Sequence, residues 1–449
     1  MKLHTKILLA LLVGAAIGVT ANLTLGGNHP LVDGTNRYVA GPVGQIFLRM
    51  LFMIVVPLVF ASITLGVAGL GDIRRVGRVG TKALGYFLAT TVIAAALGLV
   101  AVNVVRPGER LAPAVRAELL QTYAQDASSR VEAAATSSFG IETLVNLVPR
   151  NPVRAAADLD LLGLIFFSLV FGAALTMIAT ERARPMVRVL ESLNDVVIKV
   201  VEFAMRLAPF GVAALIFGVT SRFGFALLVP LGSYVAVVLV ALIIHAFGIN
   251  SLILRWLIGL SPRLFFARIR SAVVTAFSTS SSSATLPTNL AVAEQNLGVP
   301  RSIAGFVLPL GATMNMNGTA LFEGVTVLFL AQVFGVSLSI GQQIAVVVMS
   351  VLTAVGAAGV PGGSIPLLVG VLAMFGVPAE GIAIILGVDR ILDMSRTTVN
   401  VMGDVVAATW VGKSEGVWTA ASVPVTEGLL DTRPGTDESP EAIPLTTRV

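Results

Sequence analysis

The sequence predicts an all-α integral membrane protein that crosses the bilayer several times. Only 12% of its 449 residues are charged, whereas 55% are hydrophobic. A soluble protein of this length needs more charge to keep its surface wetted. Apolar runs close to the ~20 residues that span a bilayer as a helix recur along the chain. A large soluble enzyme is therefore disfavoured.

Composition also excludes other classes of protein. The absence of cysteine excludes disulfides and thiolate metal sites. The basic residues lie between apolar runs and aromatic residues are few, which favours topology signals over nucleic-acid binding. Lys2 and Lys6 precede the apolar run Ile7–Leu25 as in a signal peptide. That run is long and lacks a clear cleavage site, which favours a first transmembrane helix.

Six apolar segments precede residue 250 and are predicted to be transmembrane helices 1 to 6. They lie near residues 7–25, 47–70, 83–105, 159–179, 196–219 and 227–247. Arginine and lysine cluster in the connectors 72–82, 181–188 and 255–270. Placing all three connectors on the cytoplasmic side satisfies the positive-inside rule and puts the N-terminus there. The segment 106–158 then lies outside, and the polar tail is expected to be cytoplasmic and disordered.

Three later segments interrupt apolar helices. Residues 278–287 are rich in hydroxyl groups, Asn315–Thr319 divides an apolar run over 303–334, and residues 356–364 carry four glycines and a proline. In hydrocarbon, every freed backbone group must find a partner, so such backbone has to be enclosed in protein or line a cavity. Broken helices of this kind are typical of ion-coupled carriers.

The next helix, predicted over Gly381–Val411, carries charges in an apolar frame. At about 100° per residue its polar groups share a sector of roughly 80°. They are Asp389, Asp393, Arg396, Asn400 and Asp404. Charges inside a membrane are costly and usually functional. The alternative is a ladder of ion pairs from Arg396 to the first two aspartates that only locks helices together.

The chemistry of this face fits an amino acid with an acidic side chain. Asp393 can hold an ammonium group, Arg396 can hold a carboxylate in bidentate fashion, and Asn400 can donate to a second carboxylate. Asp404 lies one turn further along, and beside freed backbone carbonyls it could hold sodium.

The motifs then resemble those of one family, the dicarboxylate/amino acid:cation symporters, which include the glutamate transporters. Residues 388–404 resemble the motif of that family's eighth helix, and Asn315–Thr319 resembles the Asn-Met-Asp-Gly-Thr motif of its seventh. The serine-rich stretch that ends at Pro287 and the segment Ala358–Gly362 resemble its two hairpin tips. The similarity covers about residues 5–415, apart from the loop over 106–140.

This resemblance implies a glutamate-transporter-like elevator fold of eight transmembrane helices and two re-entrant helical hairpins. It also implies a homotrimer in the cell membrane with both termini cytoplasmic, sodium or protons as coupling ions, and no organic cofactor. The implied division is 1–105 for scaffold helices 1 and 2 with transport helix 3, 106–158 for the extracellular loop and the start of helix 4, 159–250 for helices 4 to 6, 251–415 for the transport core, and 416–449 for the tail.

The resemblance also assigns residues. Asp393 would bind the substrate amino group, while Arg396 and Thr319 would bind its side-chain carboxylate. Asn400, Ser281 and Ser282 would bind the α-carboxylate, the backbone of Val360 would close above it, and Met316 and Thr397 would line the site. One sodium site would use Asp404 with carbonyls of Gly311, Asn315 and Asn400. A second would use the backbone of Ala354, Val355 and Ala357.

Two departures from the family concern the coupling ion. The family usually has Asp at position 317, where it forms a third sodium site with hydroxyl groups that match Thr90 and Thr91 here. Asn317 removes that charge, and Phe87 replaces a common Tyr, so this site is expected to be weak or absent. Glu323 matches a position at which proton-handling members keep Glu, and a carboxyl group buried in the membrane accepts a proton readily. We expect a shift toward proton coupling; the alternative is a Glu with a purely structural hydrogen bond.

A third departure concerns arginine. Many members have an extra Arg at the position of Ser280 or of Met394, and this chain has neither. Arg390 either supplies the missing charge near Asp393 or pairs with Asp389, and the second interpretation is favoured. His245 is interpreted as structural.

Other functions remain as alternatives. Within the family, Asp393 argues against C4-dicarboxylates, which lack an amino group, and Arg396 argues against neutral amino acids. An intramembrane serine hydrolase built on Ser280–Ser283 would need a nearby His or Lys base. A passive channel lined by the broken helices is a third alternative.

Overall fold

Helices and short turns form the whole of the described chain, and no strand occurs in it. The computed structural model describes residues 3–69, 78–111, 148–157, 161–226, 228–357, 359–378 and 381–424. The middle of the predicted outer loop and the tail after residue 424 lie outside these ranges. The predicted disorder of the tail therefore remains a prediction for those residues.

Eight α-helices lie in the described ranges before residue 227. They are α1 (Leu3–Leu25), α2 (Pro30–Thr35), α3 (Gly41–Phe52), α4 (Val55–Gly69), α5 (Arg78–Val105), α6 (Pro152–Ala157), α7 (Leu161–Met177) and α8 (Thr180–Phe223). A π-helical turn, Asn36–Ala40, joins α2 to α3.

Ten helices follow among the described residues. They are α9 (Leu228–Ile243), α10 (Asn250–Leu252), α11 (Pro262–Arg268), α12 (Arg270–Thr279), α13 (Ser282–Ala291), α14 (Arg301–Met314), α15 (Asn317–Phe334), α16 (Ile340–Gly356), α17 (Ile365–Met374) and α18 (Ile382–Ser414). Two π-helical segments, Ile244–Ile249 and Ile253–Ile258, make α9 and α10 one continuous rod.

Five helical stretches in the described ranges are long and apolar enough to cross a membrane. They are Thr5–Leu25, Arg78–Arg110, Arg206–Ala226, Leu228–Ile258 and Arg301–Phe334. The first four match predicted helices 1, 3, 5 and 6. Predicted helix 2 is divided at Met53–Ile54, because the ring of Pro57 cannot follow the carbonyl of Met53 in a regular helix. Predicted helix 4 corresponds to α7.

Small residues let the helices approach closely. A Cβ atom at Gly14 of α1 would lie 2.6 Å from the carbonyl oxygen of Ala213 in α8. At Gly98 of α5 it would lie 2.8 Å from the carbonyl oxygen of Leu321 in α15. Helices without a hydrophobic driving force between them pack in membranes through contacts of this kind.

Helix α15 lies at the centre of the molecule. Every one of its residues is buried except Gln332, which is partly exposed. It packs against α5, α16 and α18, and α18 also packs against α12 and α14. The first two predicted helix breaks, which follow α12 and α14, therefore lie beside the charged helix α18.

The chain beyond α18 folds back onto the same group of helices. Trp418 is buried, and its indole N–H donates to the carbonyl oxygen of Leu297 at 2.7 Å. Glu415 forms ion pairs with Arg78 at 2.7 Å and Lys82 at 2.6 Å, which join the end of α18 to the start of α5. The first residues of the predicted tail, up to Pro424, are thus part of the fold.

The two cations stabilise the ionised form of Glu415. Hydrogen bonds from Arg78 and then Lys82 lower the pKa of this carboxyl group from 4.5 to about 2. A lowered pKa means that the stabilisation is complete above pH 4.5 and is lost as the pH falls toward 2. The link is fully formed at neutral pH.

Replacing Glu415 by Gln should lower the Tm at neutral pH and low ionic strength by at most a few degrees, because its partner Arg78 is 73% exposed to solvent. The decrease should vanish near 1 M NaCl, where the Debye length is about 3 Å. Thermal unfolding of the purified protein measures both effects. Glu202→Gln is the matched control, since the partner of Glu202 is Lys199 within the same helix. A decrease that persists in high salt would contradict this assignment.

Candidate functional site

The site is built where α14 ends and α15 begins. Asn315 and Met316 leave the helical region of backbone space, with ψ angles of 68° and 52°. The break frees the N–H of Gly318, which donates to Oδ1 of Asn400 on α18 at 2.7 Å. The Asn400 amide also donates to Oγ1 of Thr319 at 3.3 Å and to the sulfur of Met316 at 3.2 Å. Asn400 thus ties the broken helix to α18.

The two hairpin tips meet directly above this break. The first tip lies between α12 and α13, and the second between α16 and α17. The carbonyl oxygen of Gly359 accepts hydrogen bonds from the hydroxyl of Ser281 at 2.6 Å and from the N–H of Ser283 at 3.2 Å. The second tip also contacts α18, because the N–H of Gly362 donates to Oδ2 of Asp393 at 3.0 Å. Gly362 has a φ of 74°, which favours glycine.

The tips and α18 enclose a cavity of about 20 Å³. Seven of the nine predicted substrate residues line it: Ser282, Met316, Thr319, Val360, Asp393, Thr397 and Asn400. Ser280, Ala357, Gly359 and Ser364 complete the lining. A volume of this size holds about one water molecule. The cavity in this structure is therefore too small for an organic acid.

Arg396 and Ser281, the other two predicted residues, are engaged elsewhere. Ser281 bonds to the opposite tip, as described. Arg396 is 1% exposed, and its Nη2 donates to Oδ1 of Asp393 at 2.9 Å. Its Nη1 forms an ion pair with Asp389 at 3.0 Å, and its guanidinium lies 3.9 Å above the ring centre of Phe322. Both ion pairs of the helix-locking alternative are thus present.

Arg390 differs from the favoured expectation. It does not pair with Asp389, whose carboxylate is taken by Arg396. Instead, Nη1 of Arg390 lies 3.6 Å from Oδ2 of Asp393, one turn further along the same helix. Asp393 therefore faces two guanidinium groups and one backbone N–H.

The predicted first sodium site contains unsatisfied oxygen atoms. Nδ2 of Asn315 donates to Oδ1 of Asp404 at 2.9 Å, while Oδ2 of Asp404 and Oδ1 of Asn315 have no hydrogen-bond partner. Gly311 lies against the same carboxylate, since a Cβ there would be 2.6 Å from Oδ1. Hard oxygen donors of this kind suit a sodium ion. Gly311 and Asn315 thus lie against the carboxylate of Asp404, whereas the side chain of Asn400 bonds to Gly318, Thr319 and Met316.

The residues of the predicted third sodium site also meet. The hydroxyl of Thr91 donates to Oδ1 of Asn317 at 2.7 Å, and that of Thr90 lies 3.5 Å from the same oxygen. Nδ2 of Asn317 has no hydrogen-bond partner. A neutral amide thus faces two hydroxyl groups, and its nitrogen is a donor that cannot ligate a cation.

Glu323 lies further along α15 and is fully buried. Its Oε2 accepts a 2.5 Å hydrogen bond from the hydroxyl of Thr353 on α16, and Oε1 has no hydrogen-bond partner. None of the ion pairs among the described residues includes Glu323. A carboxyl group in this setting has one satisfied and one free oxygen.

The residues of the predicted second sodium site and His245 remain to be placed. Ala354, Val355 and Ala357 lie at the end of α16, where the N–H of Ala357 donates to the carbonyl oxygen of Ala354 at 3.2 Å. His245 is fully buried, and neither ring nitrogen has a hydrogen-bond partner.

Sequence reasoning did not assign roles to Phe322, Thr353 or Gly362. Thr353 lies far from Glu323 in the sequence, and only the packing of α15 against α16 brings them together. Phe322 could have been noticed, because it precedes Glu323 beside the Asn315–Thr319 motif. Gly362 belongs to a recognised tip, but a sequence pattern does not reveal which N–H reaches Asp393.

Apolar helices that enclose charged side chains at helix breaks define the class of ion-coupled membrane carriers. A sequence model of the sodium:dicarboxylate symporter family matches residues 3–414. The chain belongs to this family.

Named relatives of two kinds resemble the chain. A proton/glutamate-aspartate symporter of Escherichia coli (strain K12) is 38% identical over 375 residues, which cover 83% of this chain and 85% of that protein. A proton/sodium-glutamate symport protein of Bacillus subtilis (strain 168) is 38% identical over 93% of this chain and 94% of its own length. A C4-dicarboxylate transport protein of the same organism is 32% identical over 96% of this chain and 98% of its own length.

Gly318→Ala should destabilise the protein, because the new Cβ would lie 2.5 Å from the carbonyl oxygen of Arg396. Overpacking of this kind costs roughly 1–3 kcal/mol, so the Tm should fall by several degrees. Gly305→Ala in α14 is the control, since nothing lies within 4 Å of its Cβ position. The control should leave the Tm equal or slightly higher. Equal Tm values for the two variants would refute this packing argument.

Proposed function

We propose that this chain is a secondary active symporter that takes up L-glutamate and L-aspartate with sodium, protons or both. It works by an elevator-like movement, as a homotrimer in the cell membrane with both termini in the cytoplasm. The observation that carries the proposal is the stripe of Asp393, Arg396 and Asn400 on one face of α18, directly below two touching hairpin tips. Acidic amino acids are named for two of the relatives described above.

The groups on this stripe match the charges of the substrate. The substrate ammonium would replace the N–H of Gly362 on Asp393. Arg396 would turn from Asp393 to the side-chain carboxylate, and Asn400 would donate to the α-carboxylate. The first two exchanges trade a charge-assisted contact within the protein for one with the substrate, so Asp393 and Arg396 each keep a charged partner. The third replaces neutral hydrogen bonds of Asn400.

The gating follows from the same contacts. Gly359 and Gly362 hold the second tip closed through three hydrogen bonds to the first tip and to α18. Their rupture would open the cavity, and a bound substrate would replace part of them. The second hairpin thus acts as the gate in this proposal.

The proposed coupling relies on two carboxyl groups and an amide. Asp404, with the oxygen of Asn315 beside it, would take sodium. The amide of Asn317 is neutral and would supply no charge to a third sodium site, whereas Glu323 can carry a proton. This combination favours protons as a driving ion beside a reduced number of sodium ions.

The first experiment is uptake into proteoliposomes, with labelled L-aspartate or L-glutamate and with sodium and proton gradients imposed separately. Accumulation above the outside concentration would exclude a passive channel. Competition by succinate and by serine would separate acidic amino acids from C4-dicarboxylates and from neutral amino acids. Failure to take up either acidic amino acid would refute the proposal.

Arg396→Gln should reduce uptake of acidic substrates by about 100-fold or more. It removes the bidentate donor and leaves Asp389 and Asp393 without a buried cation between them. Arg396→Lys keeps the charge but not the planar donor pair and should also lose most uptake. Uptake is measured at equal amounts of folded protein, judged by size-exclusion chromatography. Retained uptake in the Gln variant would contradict the assignment.

Glu323→Gln should abolish the response of uptake to an imposed proton gradient, because an amide cannot carry the proton. The Gln oxygen can still accept the hydrogen bond of Thr353, so the fold should be kept. Sodium-driven uptake is the internal control and should persist. A variant that still responds to a pH step would show that another group carries the proton.

A further inference from the structure

A larger cavity shares no lining residue with the site described above. Its volume is about 670 Å³, which lies in the range of pockets that hold small molecules. The π-helical turn Asn36–Ala40 and the start of α3 form one wall, and the last turns of α8 form the other. The residues assigned to the substrate and to the coupling ions do not line it. The cavity therefore has no part in the proposed function.

The cavity lies where two membrane-crossing stretches end. They are Thr5–Leu25 and Arg206–Ala226. The side-chain amide of Asn22, near the end of the first, donates to the carbonyl oxygens of Ser221 at 3.0 Å and of Arg222 at 2.8 Å, near the end of the second. Both stretches therefore end at the same level, which corresponds to the boundary between the hydrocarbon and the lipid head groups.

Two guanidinium groups and one carboxylate line the cavity. Arg222 donates to Oδ1 of Asp33 at 3.3 Å. Arg37 belongs to none of the ion pairs among the described residues, and its guanidinium lies 5.5 Å from the ring centre of Tyr38. Two positive charges and one negative charge leave a net charge of one positive. Because arginine binds phosphate groups in bidentate fashion, a phosphodiester with one negative charge would neutralise the cavity.

The wall that α8 contributes is apolar. Leu215, Val219 and Phe223 line it at intervals of four residues, so they lie along one side of the helix. This stripe extends from the boundary level about 12 Å toward the hydrocarbon, at 1.5 Å per residue. Gly218 lies beside the stripe, where a Cβ atom would be 3.5 Å from Oδ1 of Asn36. A hydrocarbon chain can lie along this stripe while a charged group stays with the arginines.

We propose that this cavity binds an anionic phospholipid. Its phosphodiester lies between Arg37 and Arg222, and one acyl chain follows the apolar stripe of α8. The side chain of Asp33 is 51% exposed, so it remains hydrated when Arg222 turns to the phosphate. A free phosphate ion would satisfy the arginines but leave the stripe uncovered, whereas a phospholipid supplies both parts. The bound lipid joins the turn before α3 to the end of α8.

The test measures lipid binding to the purified full-length protein in detergent and does not depend on transport. Phosphatidylglycerol is the anionic probe, and phosphatidylcholine and phosphatidylethanolamine with the same acyl chains are the zwitterionic probes. Native mass spectrometry counts the bound lipids as each probe is titrated. Phosphatidylglycerol should bind about five-fold more tightly than either zwitterionic lipid, because one charge at the membrane surface contributes about that factor. Millimolar inorganic phosphate should not displace it, because it lacks the acyl chains.

Substitution of the charged groups should change binding in both directions. Arg37→Gln and Arg222→Gln should each weaken phosphatidylglycerol binding by about five-fold. Asp33→Asn should strengthen it by a similar factor, because the substitution raises the net charge to two positive and frees Arg222. General damage to the fold cannot produce this gain, so the Asp33 variant remains informative if an arginine variant is unstable. Arg206→Gln is the control, since Arg206 lies at the opposite end of the same membrane-crossing stretch, and it should leave binding unchanged.

Gly218→Leu tests the apolar part of the cavity without altering a charge. The larger side chain narrows the space between α8 and Asn36 and should weaken phosphatidylglycerol binding. Equal binding of phosphatidylcholine and phosphatidylglycerol would refute the proposal, as would weaker binding in Asp33→Asn. Displacement of the lipid by inorganic phosphate would show a site for the free ion instead. A uniform loss of binding in the Arg37, Arg222 and Arg206 variants would show that only the overall charge of the protein matters.

Discussion

The structure depends on the burial of Arg396 between two aspartates inside an apolar bundle. An isolated charge in hydrocarbon is costly, so the guanidinium requires Asp389 on one side and Asp393 on the other. The ring of Phe322 covers its face. The two ion pairs lie within α18, and the contact with Phe322 joins α18 to α15, the most enclosed of the described helices. The two hairpin tips and the break between α14 and α15 then lie beside these fixed side chains of α18.

The helix breaks and the buried charges satisfy one another. Each break frees backbone groups that water cannot reach, and polar side chains of α18 accept two of them, from Gly318 to Asn400 and from Gly362 to Asp393. The carboxylate of Asp393 is also suited to an ammonium group, and the amide of Asn400 is suited to a carboxylate. In the proposed function, stability of the closed state and recognition of a substrate would therefore use common hydrogen bonds. A substrate would replace partners rather than add contacts to an empty surface.

Much of this arrangement could be predicted from the sequence, because it follows from local rules. The polar face of α18 follows from helical periodicity, and the breaks follow from runs of Ser, Asn, Gly and Pro within apolar segments. The partner of Arg390 did not follow, since Asp389 and Asp393 are both near it in sequence and Arg396 competes for each. The link from Glu415 to Arg78 was also missed, because it joins residues 337 positions apart. Pairings set by tertiary packing leave no periodic signal.

The chemistry of coupling depends on side-chain identity more than on backbone geometry. Thr91 directs its hydroxyl at Asn317 as it could at a carboxylate, yet the amide has no charge to hold a cation. Further along α15, Glu323 supplies a carboxyl group with a free oxygen and one hydroxyl donor. The same helix therefore lacks a fixed negative charge at one position and has a group that can bind a proton at the other. A proton neutralises its carrier before the carrier moves through the membrane, whereas a sodium ion needs a carboxylate that stays ionised. Asn317 and Glu323 lie on α15, whereas Asp393, Arg396 and Asn400 lie on α18. In the proposed function, a change of driving ion would therefore leave the residues proposed to bind the substrate unchanged.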